Sequence, residues 1–468
     1  MDEKRADTMD REIIKRRVGR TPIIRAEKLE KELDVGRIYL KLEGNNPSGH
    51  REDRLAYLII RDALTRGKKT ICLGTYGTVG GSLSHLSSFF DVKCVFYVPN
   101  KRKALRRDLL DSDHVEIIEY GGTFEDCVRE SRKVAREKGW YDANPGLANN
   151  MMNMYAFSYI AKELNSQLEG EITDLYCQTS GGSSISGLHM GFKQLWINED
   201  ITTLPRINAV STSHGNAIVE SFKERSRSII TLDPSYLQES KTNRNVVNWE
   251  CFNGQDALNT IYDTHGMAIG VSDWDLKELA KYFRKLEKVR FTIPNFYPLA
   301  AFIKEARDGN IKKGSHVIIL NDGKVEIELK VVKRENLDIT YDEFLDLLDN
   351  WLVQFSDPLE EIKEATDNAF DRGFVICAFD RGSLVGITVL SRSNWETFFP
   401  HYHLSYIATK KDLRGMGIAT QLMQKAIDLS KGSLSLHVET DNKRAIKLYE
   451  KMGLRRKYYR MLYKGPEG

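Results

Sequence analysis

Between Arg37 and Leu320 the chain switches repeatedly between short apolar runs and longer amphipathic ones, and this alternation limits the fold more than any other feature. Ile38–Leu42, Thr70–Leu73, Val92–Val98, Val115–Ile118, Leu175–Cys177, Arg206–Val210 and Val317–Leu320 read as strands, each too short for a helix. Between them, Asp53–Arg66, Gly81–Phe90, Lys101–Leu110, Thr123–Lys138 and Ile185–Trp196 carry helical spacing. Strand-helix repeats of this kind predict a doubly wound α/β fold, a parallel sheet with helices on both faces. At 468 residues the chain exceeds one ordinary core, so two or three domains are expected.

Ligands of such sheets sit beyond the carboxyl ends of the strands, which directs attention to three loops. The first is Glu43–Arg54, containing Asn46-Pro47-Ser48-Gly49-His50-Arg51-Glu52-Asp53-Arg54, and the second is Gly74–Gly81. The third, Gln178–Gly187, runs through Ser180, Gly181, Gly182, Ser183 and Ser184 into a helix. Small residues entering a helix expose backbone N–H groups to an anion. Taken singly, each loop reads equally as a tight turn.

Together and in this order the three loops resemble fold-type II pyridoxal-phosphate enzymes, the group of threonine synthase, cysteine synthase and threonine dehydratase, over about residues 20 to 325. Thr21-Pro22-Ile23 is similar to the family's Thr-Pro-Leu, Lys41-Leu42-Glu43 to its Lys-x-Glu, and Asn46–Gly49 to its Asn-Pro-Thr-Gly. Ser180–Gly187 is similar to its cofactor-phosphate loop, so the resemblance implies phosphate contacts from Ser180, Gly181, Gly182, Ser183 and Ser184. The register then departs from the family. Glu52 stands where the family has its imine-forming lysine, and Thr78 where it has the asparagine that contacts the cofactor's ring hydroxyl. A carboxylate forms no imine, so pyridoxal phosphate is doubtful as a cofactor. Lys41 swinging in, or cofactor held without a covalent link, stays open. A degenerate copy of the fold is expected over residues 1–330, its pocket lined by His50 and Arg51 and taking an amino acid, a phosphorylated metabolite or nothing.

Lys330–Asp338 is polar and reads as a linker, followed by a second domain over 338–466. Phe344, Leu348, Trp351 and Phe355 recur at helical spacing. Phe374–Phe379 and Leu384–Val389 flank a turn and predict a hairpin. His403–Thr409 is strand-like and leads into Leu413-Arg414-Gly415-Met416-Gly417-Ile418-Ala419-Thr420, a glycine turn opening a helix with Ile418, Leu422, Met423, Ala426 and Ile427 on one face. Leu434, Leu436 and Val438 alternate as a strand, and Tyr458–Tyr463 reads as the last one. With Asn442-Lys443-Arg444-Ala445-Ile446-Lys447-Leu448-Tyr449, these features resemble the GNAT superfamily of acyl-CoA N-acyltransferases, a mixed α+β fold. Arg414, Gly417 and Ala419 fit its pyrophosphate pattern, and Leu454 replaces the phenylalanine that ends its second motif.

That resemblance implies acetyl-CoA held by Arg414, Gly415, Met416, Gly417, Ile418, Ala419 and Thr420, with the pantetheine arm along the backbone of Ile407, Ala408 and Thr409. It implies Tyr449 as proton donor to the departing thiolate and Asn442 as the residue that caps and positions its helix. Glu439, His403 and His437 are the candidate bases, with Glu439 the one assigned. The expected activity is N-acetylation of a small amine or amino acid, the large domain binding substrate or effector. The alternatives are an amino-acid sensor that regulates acetylation of a protein, and a bifunctional pyridoxal-phosphate lyase or synthase joined to an acetyltransferase.

Composition narrows the partners. The 69 basic and 66 acidic residues leave a net charge of +3, which provides no bulk field for nucleic acid. No apolar run approaches the roughly 20 residues of a membrane helix, and the charged Asp2–Arg17 stretch is no secretory signal. The six cysteines lie far apart without metal-ligand spacing, so no metal site and a reducing, cytoplasmic setting are expected. A homodimer is among the assemblies expected.

Overall fold

The computed structural model describes residues 17–100, 113–287, 289–325, 327–380, 382–395, 399–410 and 417–457. The chain divides into two compact units, Met1–Val325 and Glu326–Gly468.

The large unit carries β1 (Ile23–Arg25), β2 (Gly36–Leu42), β3 (Thr70–Gly74), β4 (Lys93–Val98), β5 (Val115–Glu119), β6 (Tyr141–Asp142), β7 (Asp174–Gln178), β8 (Arg206–Thr212), β9 (Ala268–Val271), β10 (Val289–Arg290), β11 (Gly314–Leu320) and β12 (Lys324–Val325). A six-stranded sheet runs β1-β2-β11-β7-β8-β9, parallel except at β1, and a four-stranded parallel sheet runs β5-β4-β3-β6. This is the expected α/β architecture with its two lobes. Every residue of β7 is buried, as befits a central strand covered on both faces. One apolar layer gathers Phe157, Ile185, Leu188 and Phe192, and another Phe283, Phe296, Phe302 and Ile318.

Glycines set one contact that aims the third loop. A Cβ on Gly187 would lie 2.4 Å from Met154 O, and one on Gly191 2.4 Å from Ser158 O. The helix Ser183–Ile197 therefore lies against Asn150–Gln167 at a distance only glycine permits, which fixes where its N-terminus points. The strands read from the sequence of this unit all form, with ends shifted by up to three residues. The helix expected from Gly81 begins at Thr78, because Gly77 at φ 134° turns the chain there. Lys101–Leu110 lies outside the described residues.

The small unit builds a five-stranded sheet from β13 (Ile327–Val332), β14 (Phe374–Asp380), β15 (Ser383–Arg392), β16 (Tyr402–Thr409) and β17 (Leu434–Leu436), in that order. All pairs are antiparallel except β16 with β17. The linker expected from Lys330 is corrected: Lys330 pairs with Cys377 inside β13, whose alternating side chains suit an edge strand with one wet face. Thr340 and Glu343 form a capping box that starts the helix Tyr341–Leu352, which buries Phe344 and Leu348 against Ile362, Val375 and Ile387. Gly386 in mid-strand admits the helix Ile418–Ser430, since a Cβ there would meet Leu422 at 2.9 Å and Ile418 at 3.0 Å. Val438 falls beyond β17, and Tyr458–Tyr463 lies outside the described residues. No described helix is long and apolar enough to cross a membrane.

Candidate active sites

The motif residues of the large unit form a buried ionic lattice. Arg54 donates to both oxygens of Glu43 at 2.7 and 2.8 Å and to both oxygens of Glu163 at 2.7 and 2.8 Å. Lys41 Nζ donates to Glu163 Oε2, the Thr21 carbonyl and Gln167 Oε1 at 2.7, 2.7 and 2.9 Å. Thr21 Oγ1 donates to Glu43 at 2.6 Å. All three ammonium donors of Lys41 are thereby used, and the side chain is held away from any imine role. Burial works against the Lys41 ammonium and lowers its pKa, while Glu163 and Glu43 oppose that shift.

Beyond this lattice the first and third loops meet at the carboxyl ends of β2 and β7, beside the turn after β11. Arg51 N donates to the Asn321 carbonyl at 3.0 Å and Gly44 N to the Gly323 carbonyl at 3.1 Å, which locks the first loop to the turn after β11. The Arg51 guanidinium reaches Cys177 Sγ at 3.0 Å and the Gln178 carbonyl at 3.4 Å, and donates to Glu52 Oε1 at 3.1 Å. Ser184 Oγ donates to that same Gln178 carbonyl at 3.3 Å, so the guanidinium stands beside the third loop. Asn216 Nδ2 donates to the Ser180 carbonyl at 3.0 Å, Asn253 N to the Gly181 carbonyl at 3.0 Å, and Ser183 Oγ to Asn253 Oδ1 at 3.1 Å. Gly182, at φ 104°, caps the helix from a conformation that favours glycine. In the second loop Thr75 Oγ1 accepts from Gly77 N and Gly80 N at 3.0 and 3.3 Å.

In the small unit β16 and β17 pair only as far as Leu404 and Leu436. From Ser405 to Thr409 the β17 side of β16 has no strand partner among the described residues. A register shift opposite Val389 and Leu390 leaves Ser405 as a bulge where the strands part. Lys410 N donates to the Val385 carbonyl at 3.0 Å. Antiparallel alternation then turns Ala408 and Tyr406 toward β15, and Ile407 and Thr409 toward the open edge. Gly417, at φ 76°, caps the helix Ile418–Ser430, whose first-turn N–H groups have no partner within the helix. Asn442 Oδ1 accepts from Ala445 N at 3.1 Å and caps the helix carrying Tyr449. Tyr449 is buried, and burial pushes its phenol up to about 12. His403 Nδ1 lies 3.0 Å from Ser435 Oγ, and its ring centroid is 4.6 Å from that of His437.

Compared with known families, residues 14–323 match the family described as pyridoxal-phosphate dependent enzyme. The chain belongs to the pyridoxal-phosphate dependent enzyme family. Residues 340–454 match the acetyltransferase (GNAT) family, so a GNAT domain follows the pyridoxal-phosphate enzyme domain. Among curated relatives, threonine synthase of Methanocaldococcus jannaschii is 26% identical over 336 residues, covering 68% of this chain and 81% of that protein. Cysteine synthase of Staphylococcus aureus is 26% identical over 195 residues, covering 40% and 62%. Among solved structures, threonine deaminase isoform 2 from Solanum lycopersicum superposes with a TM-score of 0.55 at 16% identity over 68% of this chain and 84% of that one. A pyridoxal 5'-phosphate-dependent aspartate racemase does so at 0.55 and 18% identity over 68% and 96%. These likenesses show the fold.

Within this pyridoxal-phosphate enzyme domain the donor set fits the phosphate of the family's cofactor, and Glu52 stands where the resemblance puts its amine. Ser180 to Ser184 open a helix as expected. Glu52 is buried at the foot of the helix Asp53–Thr65, and Lys41 is committed elsewhere. In the GNAT domain the helix Ile418–Ser430 packs against β16, on which Ile407 and Thr409 face the open edge while the backbone of Ala408 faces β15. Arg414, Gly415 and Met416 lie outside the described residues. Glu439 and His437 are exposed just past β17, and His403 is half-buried. Sequence reading missed Asn216, Asn253 and Asn321 at the loops of the large domain, and took Gln178 only as the start of the third loop. Only the Asn253-Gly254 pair, a turn signal, marked any of them.

Proposed function

We propose that the GNAT domain transfers the acetyl group of acetyl-CoA to the nitrogen of a small amine or amino acid, and that the large domain binds this substrate or an effector. The open edge of β16 next to a glycine-capped helix N-terminus carries the reading. Ile407 and Thr409 offer N–H and C=O groups to the amides of a pantetheine arm. The first turn at Ile418, Ala419 and Thr420 offers N–H groups and the positive helix end to a pyrophosphate, with Arg414, Gly415 and Met416 completing the loop.

The chemistry needs no covalent enzyme intermediate. The amine lone pair attacks the thioester carbonyl, the N–C bond forms, and the C–S bond breaks as the tetrahedral adduct collapses. Tyr449, protonated at neutral pH, gives its phenolic proton to the departing thiolate and regains one from solvent. The amine's surplus proton goes to a base, for which Glu439, His403 and His437 are the candidates. Release of free thiol from acetyl-CoA tests the reading, with small amines and amino acids in one arm and lysine peptides in the other. Turnover with small amines is the expected result. Turnover confined to peptide lysines would move the acceptor to a protein, and tight binding of acetyl-CoA with no turnover in either arm would sink the assignment.

A further inference from the structure

The large domain holds a set of buried polar atoms that its own fold does not satisfy. Arg51 and Glu52 are 6% and 7% exposed, and their pairing leaves Arg51 Nε and Glu52 Oε2 without a partner. Gln178 Oε1, Thr179 Oγ1 and Asn253 Nδ2 are likewise buried and unpaired. Burying such groups unpaired is costly unless something meets them. None of the described hydrogen bonds uses the backbone N–H of Gly181, Gly182, Ser183 or Ser184. Arg51 and Ser184 share the Gln178 carbonyl and Arg51 also holds Glu52 Oε1, so a cation, its paired carboxylate and the N-terminal turn of the helix Ser183–Ile197 are gathered around one carbonyl.

In the family the protein brings the amine and the cofactor brings the aldehyde. Glu52 reverses that polarity. A carboxylate oxygen wanting a donor has nothing to gain from an aldehyde, but pairs well with an ammonium. The phosphate cradle keeps its anion preference, and Arg51 adds positive charge beside it.

We propose that this site binds an amine-bearing phosphate monoester without any covalent bond, the ammonium on Glu52 and the phosphate on Gly181 to Ser184 beside Arg51. The inference rests on the reading of the large domain as a ligand-binding domain and narrows its ligand class. Two sources share this chemistry, an aliphatic aminoalkyl phosphate and the aminated form of the family's cofactor.

Calorimetry on the full chain at neutral pH tests it with pyridoxamine phosphate, O-phosphoethanolamine, inorganic phosphate and pyridoxal phosphate. At least one of the two amines is expected to bind tenfold or more tightly than both inorganic phosphate and pyridoxal phosphate, and which one wins identifies the source. Glu52→Gln is expected to erase that preference while leaving inorganic phosphate unchanged. The comparison among ligands on the unaltered chain stands even where the variant fails to fold. Imine absorbance with pyridoxal phosphate would overturn the inference, and its loss in Lys324→Arg would place the amine at Lys324, which lies beside Gly49. Equal affinity for all four probes would overturn it too. With ethanolamine as a further, unphosphorylated probe, binding of that amine and of none of the phosphates would overturn this inference and leave the ligand-binding reading standing. No binding of any probe would overturn both.

Discussion

Lys41 Nζ lies 2.7 Å from Glu163 Oε2, and the same carboxylate takes both of its hydrogen bonds from Arg54 within 2.8 Å. One acidic side chain on the helix Asn150–Gln167 thus bridges two cations, from β2 and the helix Asp53–Thr65, with Glu43 supplying the second negative charge. The residues that most resemble the family's motifs, Thr21, Lys41, Glu43 and Arg54, are members of this lattice and stand apart from the chemistry.

Replacing Glu163 by Gln leaves Lys41 and Arg54 buried with a single carboxylate between them. Removing one partner of a buried ion pair costs about 3–5 kcal/mol, so the large domain is expected to unfold at a clearly lower urea midpoint. The acid limb carries a second signature. Burial pushes the Glu163 carboxyl up, but the hydrogen bonds and charge of Arg54, with Lys41, bring it down to about 2. A folded value below the unfolded one, near 4.3, gives stabilisation that is full above that pH and is lost as pH falls toward about 2. The amount is about 3 kcal/mol. Urea titrations between pH 5 and pH 2 should show this loss in the native chain and not in Glu163→Gln.

Gly417→Glu places a carboxylate at the cap of the helix proposed to face a pyrophosphate. Like charges a few ångströms apart near a surface repel by about 2–4 kcal/mol, so acetyl-CoA affinity should fall by about 30- to 900-fold. Because Gly417 sits at φ 76°, Gly417→Ala isolates the backbone strain, about 1–2 kcal/mol. Calorimetric titration of both variants with acetyl-CoA separates the two effects, and unchanged affinity in Gly417→Glu would remove the anion from this helix.

Asn442→Ala removes the acceptor for Ala445 N and should cost about 1 kcal/mol in the helix Lys443–Lys451. That helix carries Tyr449, so turnover is expected to drop several-fold, while Asn442→Asp, which restores a capping oxygen, returns it. If turnover is indifferent to both changes, Tyr449 does not depend on the cap for its position.

The outline of the molecule was open to sequence reading because strand and helix periods reflect burial, which is local to each element. Ser180 to Ser184 and Gly417 to Thr420 stood out for a similar reason, as small residues between a strand and a helix, and a glycine caps the helix in each. What escaped were pairings between distant segments. Lys330–Asp338 reads as polar linker because its start belongs to the edge strand Ile327–Val332, which wets one face and whose partner Phe374–Asp380 lies far along the chain. Ala408 could not be told from Ile407 and Thr409, since which carbonyl faces the open edge depends on register with β15. Gln178, Asn253 and Asn321 carry no periodic signal, and only three-dimensional burial marks them as unsatisfied.

Tyr449→Phe tests the proton donor with the least disturbance, because the ring stays in its buried place and only the hydroxyl is lost. General-acid assistance is worth about 10²–10⁴-fold, so kcat should fall by that amount while KM for acetyl-CoA stays within about twofold. The pH profile adds a discriminating readout. Burial holds the phenol near about 12, two units above its ordinary value of 10, so Tyr449 keeps its proton across the working range and contributes no alkaline limb below about pH 11. An alkaline limb at lower pH in the native enzyme, vanishing in Tyr449→Phe, would mean that bound acetyl-CoA draws the phenol down. A kcat unchanged by the substitution would leave the thiolate to be protonated by solvent, with Tyr449 serving only as a buried packing residue.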